Sequence, residues 1–198
     1  MGKLDTKKKI KSDSLLNTAF ELFTSKGISK TSISDIVERA GVAKGTFYLY
    51  FKDKYDLRNK LVSHKSSQLF ESASAALEKS GITDFEESII FLIDHIIDLL
   101  DKNHSLLNFI SKNLSWGIFR NALITPNEDS IDFYNVYIKL LKSSPYEFNQ
   151  PELMIFMIVE LVSSTCYSTI LYNEPVTINE LKPYLNKAVL QIIDIYKV

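Results

Sequence analysis

Apolar residues recur along most of this chain at spacings of three and four, the period that places them on one side of an α-helix. The first clear segment, residues 7–26, has Leu16, Ala19, Phe20 and Phe23 on one face. The same spacing, with turn residues between the segments, predicts about nine helices. They cover residues 7–26, 33–40, 45–51, 53–79, 84–102, 105–123, 128–142, 151–172 and 177–196.

The low content of turn-forming residues agrees with long helices. The 198 residues include only 6 Gly and 5 Pro, which disfavours a protein of many short strands. A hydrophobic content of 45% and a charged content of 24% are typical of a globular protein. We therefore predict an all-α protein, long enough for a small module joined to a larger one.

One stretch near the amino terminus, residues 31–56 (TSISDIVERAGVAKGTFYLYFKDKYD), combines two short helices with a tight turn at Gly41. Phe47 and Phe51 are four residues apart, so they share a face and are expected to fill a core. The other faces carry residues that a core does not need: Lys44, Gly45, Thr46, Tyr48 and Tyr50. A phosphate backbone can use them, because Lys and Tyr donate hydrogen bonds and Gly permits close approach. This stretch predicts a helix-turn-helix that binds DNA.

The charge distribution is uneven along the chain. Residues 1–60 carry 13 Lys and Arg against 7 Asp and Glu, whereas residues 61–198 carry 10 against 17. A basic end on an acidic body fits a polyanion that meets only the first 60 residues. A Lys-rich solvated tail would give the same balance, so the charge alone leaves both interpretations open.

The run from Phe20 to Leu57 closely resembles the N-terminal domain of the TetR family of bacterial transcriptional regulators. The matching positions include Phe23, Gly27, Thr31, Ile36, Ala40, Gly41, Val42, Lys44, Gly45, Thr46, Phe47, Tyr48, Tyr50, Phe51, Lys54 and Leu57. The resemblance covers about 50 residues; the remainder is similar to the family in length and helical character. Leu49 departs from the commoner polar residue at its position, which leaves the base selectivity there open.

The resemblance implies a DNA contact surface made of Thr31, Ser32, Ala43, Lys44, Gly45, Thr46, Tyr48, Tyr50 and Lys54. Residues 44–46 open the recognition helix, which spans about residues 45–51, and would meet base edges in the major groove. The two tyrosines, Lys54 and the start of the second helix would contact phosphates.

The resemblance also implies the division of the chain. Residues 1–56 would form the helix-turn-helix domain, and residues 57–198 a helical domain that binds an effector and dimerises. The resemblance makes the last two helices the homodimer interface, and their apolar arcs are wider than one core requires. Two-fold symmetry would place two recognition helices about one DNA turn apart on a palindromic operator.

The helix predicted over residues 151–172 is apolar on nearly all sides, a pattern of a membrane span or of a helix buried on two faces. Glu160 lies in its middle, and five Ser and Thr residues follow. Only about ten residues around 153–162 are continuously apolar, too few to cross a bilayer. We expect a helix buried in its own core on one face and against a second copy on the other, with no membrane partner.

The sequence shows no catalytic or metal-binding constellation. His64, His95 and His104 are scattered, and there is no nucleophile elbow or Gly-rich phosphate loop. Cys166, the single cysteine, is expected to be inert packing rather than a redox sensor. We predict no enzymatic activity, cofactor or metal. A lone cysteine and the lack of an apolar leader favour the cytoplasm.

Aromatic residues with polar tips suggest an effector pocket in the body, although the same residues can fill an ordinary core. The candidates are Phe109, Asn113, Trp116, Phe119, Tyr134, Tyr137, Phe156, Glu160 and Tyr167. A carboxylate in an apolar helix is costly unless it is paired, so Glu160 reaches the surface, pairs internally or meets a ligand.

Together these features predict a repressor that releases its operator when a small hydrophobic or aromatic ligand binds the body. The alternative is a regulator of the same fold that binds DNA constitutively while its body recruits a protein partner.

Overall fold

The computed structural model describes residues 3–114, 116–117 and 133–198, with the side chains of residues 8–114, 116–117 and 136–198. This part of the chain contains no strand, only an isolated antiparallel bridge between Phe148 and Lys197. The prediction of an all-α fold is confirmed. The nine helices of the described part are α1 (Lys3–Lys26), α2 (Ile33–Arg39), α3 (Lys44–Tyr48), α4 (Lys54–Ser80), α5 (Phe85–Asp101), α6 (His104–Asn113), α7 (Phe133–Ser143), α8 (Pro151–Tyr172) and α9 (Ile178–Tyr196).

Most helix boundaries lie within a few residues of the prediction, but one predicted helix is wrong. The segment 105–123 was expected to be continuous, yet α6 ends at Asn113 and Leu114 has an extended backbone (φ −71°, ψ 127°). The side-chain amide of Asn113 donates to the carbonyl oxygen of Phe109 at 2.8 Å. Such local side-chain bonds compete with helix continuation. Residues 118–132, over which two further helix boundaries were predicted, lie outside the described residues.

The chain divides into two compact units, Met1–His64 and Lys65–Val198. The first unit extends eight residues past the predicted boundary at residue 56. The physical reason is that Leu57, Leu61 and Val62, in the first turns of α4, are fully buried. The start of α4 therefore belongs to the core of the first unit.

The core of the first unit is built from α1, α2, α3 and the start of α4. Its fully buried members include Leu15, Ala19, Ile36, Phe47 and Leu57. The rings of Phe47 and Phe51 lie 5.5 Å apart, as their spacing predicted.

The turn between α2 and α3 is fixed by two backbone hydrogen bonds. The amide of Gly41 donates to Glu38 at 3.1 Å, and the amide of Val42 donates to Val37 at 3.0 Å. This is the Schellman arrangement, and it requires a left-handed residue, which Gly41 supplies with φ +67°. The short connection sets the direction in which α3 leaves the core.

The second unit packs α5, α6, α8 and α9 against one another. One buried cluster consists of Ile97, Leu107, Cys166, Ile170, Ile178 and Leu185, and another of Phe85, Met154, Ile158, Val189 and Ile193. A third joins Ala73 of α4 to Leu92 and Val136. These clusters use the apolar positions that the helical spacing identified.

Among the described helices, α8 is long and apolar enough to cross a membrane by length and composition. The core helix of a globular protein meets the same criteria, and α8 buries Met154, Ile158, Cys166 and Ile170 against its neighbours. Glu160 lies exposed on its surface, the first of the three outcomes predicted for this carboxylate.

Candidate nucleic-acid interface and ligand groove

The helix α3 presents one face to the core and the others to solvent. Phe47 is fully buried, whereas Lys44 and Gly45 are exposed and Thr46 is half-buried. Tyr48 is 53% exposed, and its ring rests edge-on against Phe47 with 5.4 Å between centroids. The core thus holds α3 in place while its polar residues remain accessible.

Gly45 has no structural need to be glycine. A Cβ added there would meet no atom within 4 Å, and the residue lies in the first turn of α3. Glycine inside a helix costs about 1 kcal/mol relative to alanine. A position that is open in the protein and yet lacks a side chain suits close approach by another molecule.

The end of α3 carries further exposed side chains. Leu49 is 80% exposed, and Tyr50 is half-buried beside Phe51, with 6.2 Å between ring centroids. Ala43, at the N-cap of α3, is exposed and makes no side-chain capping bond. These residues adjoin the exposed face of Lys44, Gly45 and Tyr48.

Two predicted phosphate contacts at the start of α2 have different surroundings. Thr31 is 1% exposed, and its hydroxyl donates to the carbonyl oxygen of Gly27 at 2.9 Å. A buried and bonded hydroxyl cannot reach a phosphate, so the prediction for Thr31 is corrected to a structural role.

Ser32 is exposed and caps α2. Its hydroxyl oxygen accepts from the amide of Asp35 at 3.1 Å, while its own amide donates to the Asp35 carboxylate at 2.9 Å. The backbone N–H of Ser32 and then its hydroxyl lower the pKa of Asp35.

Lys54 also departs from its predicted role. Its ammonium group donates to the carbonyl oxygens of Ile28 at 3.0 Å, Thr31 at 3.1 Å and Ser29 at 3.4 Å. An ammonium has three N–H donors, so these contacts engage all of them. In this structure Lys54 joins the start of α4 to the loop before α2 instead of facing outward.

Sequence reasoning missed Lys60, which holds the end of α3. Its ammonium donates to the carbonyl oxygen of Tyr50 at 2.8 Å and lies 3.3 Å from the Asp56 carboxylate. It also lies 5.3 Å from the centroid of the Phe51 ring. The spacing of Asp56 and Lys60, four residues apart on α4, was the available sequence signal.

The second unit contains a groove of about 510 Å³ between α6 and α8. Its apolar side is formed by Ile110, Leu114, Trp116 and Val159, and its polar side by Ser111, Lys112, Glu160, Ser163, Ser164, Tyr167 and Ser168. The volume falls within the range of small-molecule sites. Sequence reasoning missed the serines, although they recur with Glu160 at helical spacing along α8.

Three of the predicted pocket residues line this groove: Trp116, Glu160 and Tyr167. Four do not: Phe109, Asn113, Tyr137 and Phe156. Phe119 and the side chain of Tyr134 lie outside the described residues.

The excluded aromatic residues serve packing instead. Phe109 is 5% exposed, and Phe156 packs edge-on against Trp116 at 4.7 Å between centroids. Tyr137 lies in an apolar cluster with Trp116, where burial and then the charge of Glu152 raise its pKa to about 12. Among the described residues, the groove is therefore lined by fewer aromatic side chains than predicted.

Cys166 is buried, and its burial raises the pKa of the thiol to about 11. No group of three His, Cys, Asp or Glu side chains suited to a metal ion is found in the described part of the chain.

Comparison with known proteins identifies the first unit. Residues 15–61 match the model of the bacterial regulatory proteins of the tetR family. An HTH-type transcriptional regulator of Bacillus subtilis, YvdT, is 33% identical over 97 residues, covering 49% of each chain. The fatty acid metabolism regulator protein of the same organism is 30% identical over 92 residues, covering 46% of each. The match spans about half the length of these curated relatives.

Solved structures extend the likeness in fold to nearly the whole chain. A TetR-family transcription regulator from Shewanella sp. PV-4 aligns with a TM-score of 0.67 at 18% identity, covering 95% of this chain and 98% of that one. The regulator FadR from Bacillus subtilis, in complex with stearoyl-CoA, aligns with a TM-score of 0.63 at 20% identity, covering 89% and 96%. Identities this low establish the shared fold alone. Residues 15–61 thus resemble the tetR family of bacterial regulatory proteins, and the chain shares its fold with solved TetR-family regulators.

Proposed function

We propose that this chain is a cytoplasmic DNA-binding transcriptional regulator that reads its operator with α3. The observation that carries the proposal is the division of α3 between a buried Phe47 and an exposed face of Lys44, Gly45 and Tyr48. Lys44 and Thr46 supply hydrogen bonds for base edges, and Gly45 admits the DNA closely. The phosphates are contacted by Tyr48, Tyr50 and Ser32, with Ala43 beside them. The loop before α2 is stabilised by Thr31 and Lys54.

Operator binding requires two copies, which we propose pair through α8 and α9. Leu153 and Met157 of α8 are 41% and 39% exposed, although both are large and apolar. On α9, the large side chains of Tyr184 and Ile195 are 73% and 72% exposed. A two-fold dimer would present two α3 helices to a palindromic operator.

The groove between α6 and α8 is the proposed effector site. Its apolar side suits a hydrophobic body, and its serines, Lys112 and Glu160 suit polar groups, so the ligand we favour is amphipathic instead of purely aromatic. The solved FadR complex supports the idea that a body of this fold holds a small molecule.

The proposed consequence of ligand binding is release of the operator. The helix α4 runs continuously from Lys54 to Ser80 and supplies Leu57 to the first unit and Ala73 to the second. A ligand that binds one conformation of the body more tightly would shift the position of α4, and with it the affinity for DNA.

The test is in vitro selection of bound duplexes from a random pool, followed by titration of the selected duplex and a scrambled one. We expect a palindrome bound at least about a thousandfold more tightly than the scrambled duplex. Equal affinity for the two duplexes at every salt concentration would contradict the proposal.

The proposed effector site between α6 and α8 is tested separately, once the operator is known. Compounds are screened for release of the duplex, and hits are repeated on Ser111→Trp, which fills the groove. We expect this variant to bind DNA normally and to resist release. Release that is unchanged in Ser111→Trp would place the effector elsewhere, and a failure of all compounds would favour the protein-recruiting alternative.

A further inference from the structure

The turn of α1 formed by residues 8–11 adds no side chain to the core of the first unit. Side chains 8–11 are all exposed, and Ile10 is 62% exposed. The first fully buried side chain of the described part is Leu15. The helix therefore continues beyond its own packing, and this extension carries Lys8, Lys9 and Lys11.

Two hydrogen bonds fix where this extension lies relative to the helix-turn-helix. At the start of α2, the Thr31 hydroxyl donates to the carbonyl oxygen of Gly27, just past the end of α1. At the other end of α2, the Ser14 hydroxyl donates to the carbonyl oxygen of Ala40 at 3.4 Å. Thus α1 runs antiparallel to α2, and its extension passes beyond Ala40, where the turn into α3 begins.

The helical rise places the lysines next to this turn. At 1.5 Å per residue, Lys11 lies about 4.5 Å and Lys8 about 9 Å along the axis from Ser14. Viewed down the helix axis, Lys11 is rotated about 60° from Ser14 and Lys8 about 120°, both in the same direction. Lys9 is rotated about 140° from Ser14 in the opposite direction. Lys8 and Lys11 therefore continue the side of α1 that, further along the helix, buries Leu15 and Leu22 in the core shared with α3.

Two cations of the first unit pair with carboxylates, and in the described part of the chain these lysines are not among them. Arg39 pairs with Glu21 at 2.6 Å, and Lys60 lies 3.3 Å from the Asp56 carboxylate. No ion pair joins Lys8, Lys9 or Lys11 to any other side chain that the structure describes. Uncompensated cations beside a DNA-reading helix are complementary to a phosphate backbone.

We propose that the basic extension of α1 forms a second DNA contact, in which Lys8 and Lys11 bind phosphates that flank the base pairs read by α3. The proposal rests on the proposed function, because it requires α3 to be seated on the operator. Phosphate contacts carry no sequence information, so the extension adds affinity and salt dependence without changing the preferred sequence.

The test compares the selected duplex with wild type, Lys8→Gln/Lys11→Gln, the charge-preserving Lys8→Arg/Lys11→Arg, and a control pair of exposed lysines in the second unit, Lys79→Gln/Lys142→Gln. Association constants are measured from 50 to about 300 mM salt. We expect the slope of log K against log salt to fall by about 0.9 for each phosphate that the glutamine pair no longer neutralises. The arginine pair and the control pair should keep the wild-type slope, with the ratio of selected to scrambled affinity unchanged in every variant.

Hydroxyl-radical footprinting supplies a second readout that does not depend on affinity. Protection at the outer flanks of the site should weaken in the glutamine pair while the centre stays protected. A glutamine pair with the wild-type slope and footprint overturns this inference and leaves the proposed function standing. Wild-type protein that binds neither duplex overturns both.

Discussion

The ammonium nitrogen of Lys54 lies 3.1 Å from the carbonyl oxygen of Thr31, so the first turn of α4 holds the residue that precedes the cap of α2. The same nitrogen is 3.0 Å from the carbonyl oxygen of Ile28, and the Thr31 hydroxyl is itself bonded to Gly27. Two positions expected to touch DNA thus stabilise the loop that presents α2, and through α2 the turn into α3.

Replacing Lys54 tests this role. Lys54→Met removes the charge-assisted bonds to three carbonyl oxygens but keeps most of the apolar stem, so the first unit should lose about 1–3 kcal/mol in the free energy of unfolding. Urea unfolding followed by circular dichroism measures the loss. The matched control is Lys52→Met, because Lys52 is exposed and bonds through its backbone amide. Unchanged stability in Lys54→Met with weakened DNA binding would restore its predicted role as a phosphate contact.

The two glycines of the helix-turn-helix should respond in opposite directions to alanine. Gly45→Ala should stabilise the protein by up to about 1 kcal/mol, since the site is helical and open, and should weaken DNA binding by obstructing close approach. Gly41→Ala should destabilise it by about 1–2 kcal/mol, because φ is +67° there. Urea unfolding and duplex titration report the two effects. Full DNA affinity in Gly45→Ala would show that the backbone at residue 45 does not approach the DNA.

The thiol of Cys166 should be unreactive in the folded protein at neutral pH. Burial raises its pKa from the ordinary 9.0 to about 11, and the thiolate is the reactive form. Labelling by a disulfide reagent at pH 7 should be slow in buffer and fast in urea. Rapid labelling of folded protein would contradict the buried position.

The same shift predicts a pH dependence of stability. Between pH 9 and about 11 the unfolded thiol ionises while the folded one stays protonated, so stability should fall as the pH rises through this window. Cys166→Ala lacks the group, and its stability should fall less steeply over the same range. Equal slopes for the two proteins would mean that the thiol pKa does not change on folding.

The exposed apolar side of α8, which carries Leu153 and Met157, predicts that two copies of the chain pair through this helix. Met157→Arg places a charge in the proposed interface, which should convert dimers to monomers in sedimentation equilibrium and reduce operator affinity. Ile10→Arg, an exposed aliphatic position in the first unit, is the control and should remain dimeric. If the wild-type protein is a monomer, or if Met157→Arg remains a dimer, this face of α8 is not the dimer interface.

Local spacing predicted much of the first unit. Phe47 and Phe51 were assigned to the core and Lys44, Gly45 and Tyr48 to the surface from their positions on one short helix, and the structure places them so. The sequence did not indicate the burial of Thr31 or the bonds of Lys54 to carbonyl oxygens 23 and 26 residues away. Helical periodicity does not specify such tertiary contacts.

The ligand groove was harder to predict for a related reason. Aromatic residues such as Phe109 and Phe156 pack against neighbours, while the groove is lined by serines of α8 that sequence reasoning treated as sites of close helix approach. Whether a side chain fills a core or borders a cavity depends on how the helices pack, which composition leaves undetermined. The end of α6 at Asn113, which shapes this groove, was also unexpected.

Lys44 opens α3, so its replacement measures whether this helix reads DNA. The ratio of the affinities for the selected and scrambled duplexes is measured at one salt concentration for wild type, Lys44→Ala and Lys102→Ala, the last an exposed lysine of the second unit. Loss of a base contact costs about 1–3 kcal/mol, so the ratio should fall about 5- to 150-fold in Lys44→Ala and stay unchanged in Lys102→Ala. A ratio in Lys44→Ala equal to that of wild type would contradict the assignment of α3 as the reading helix.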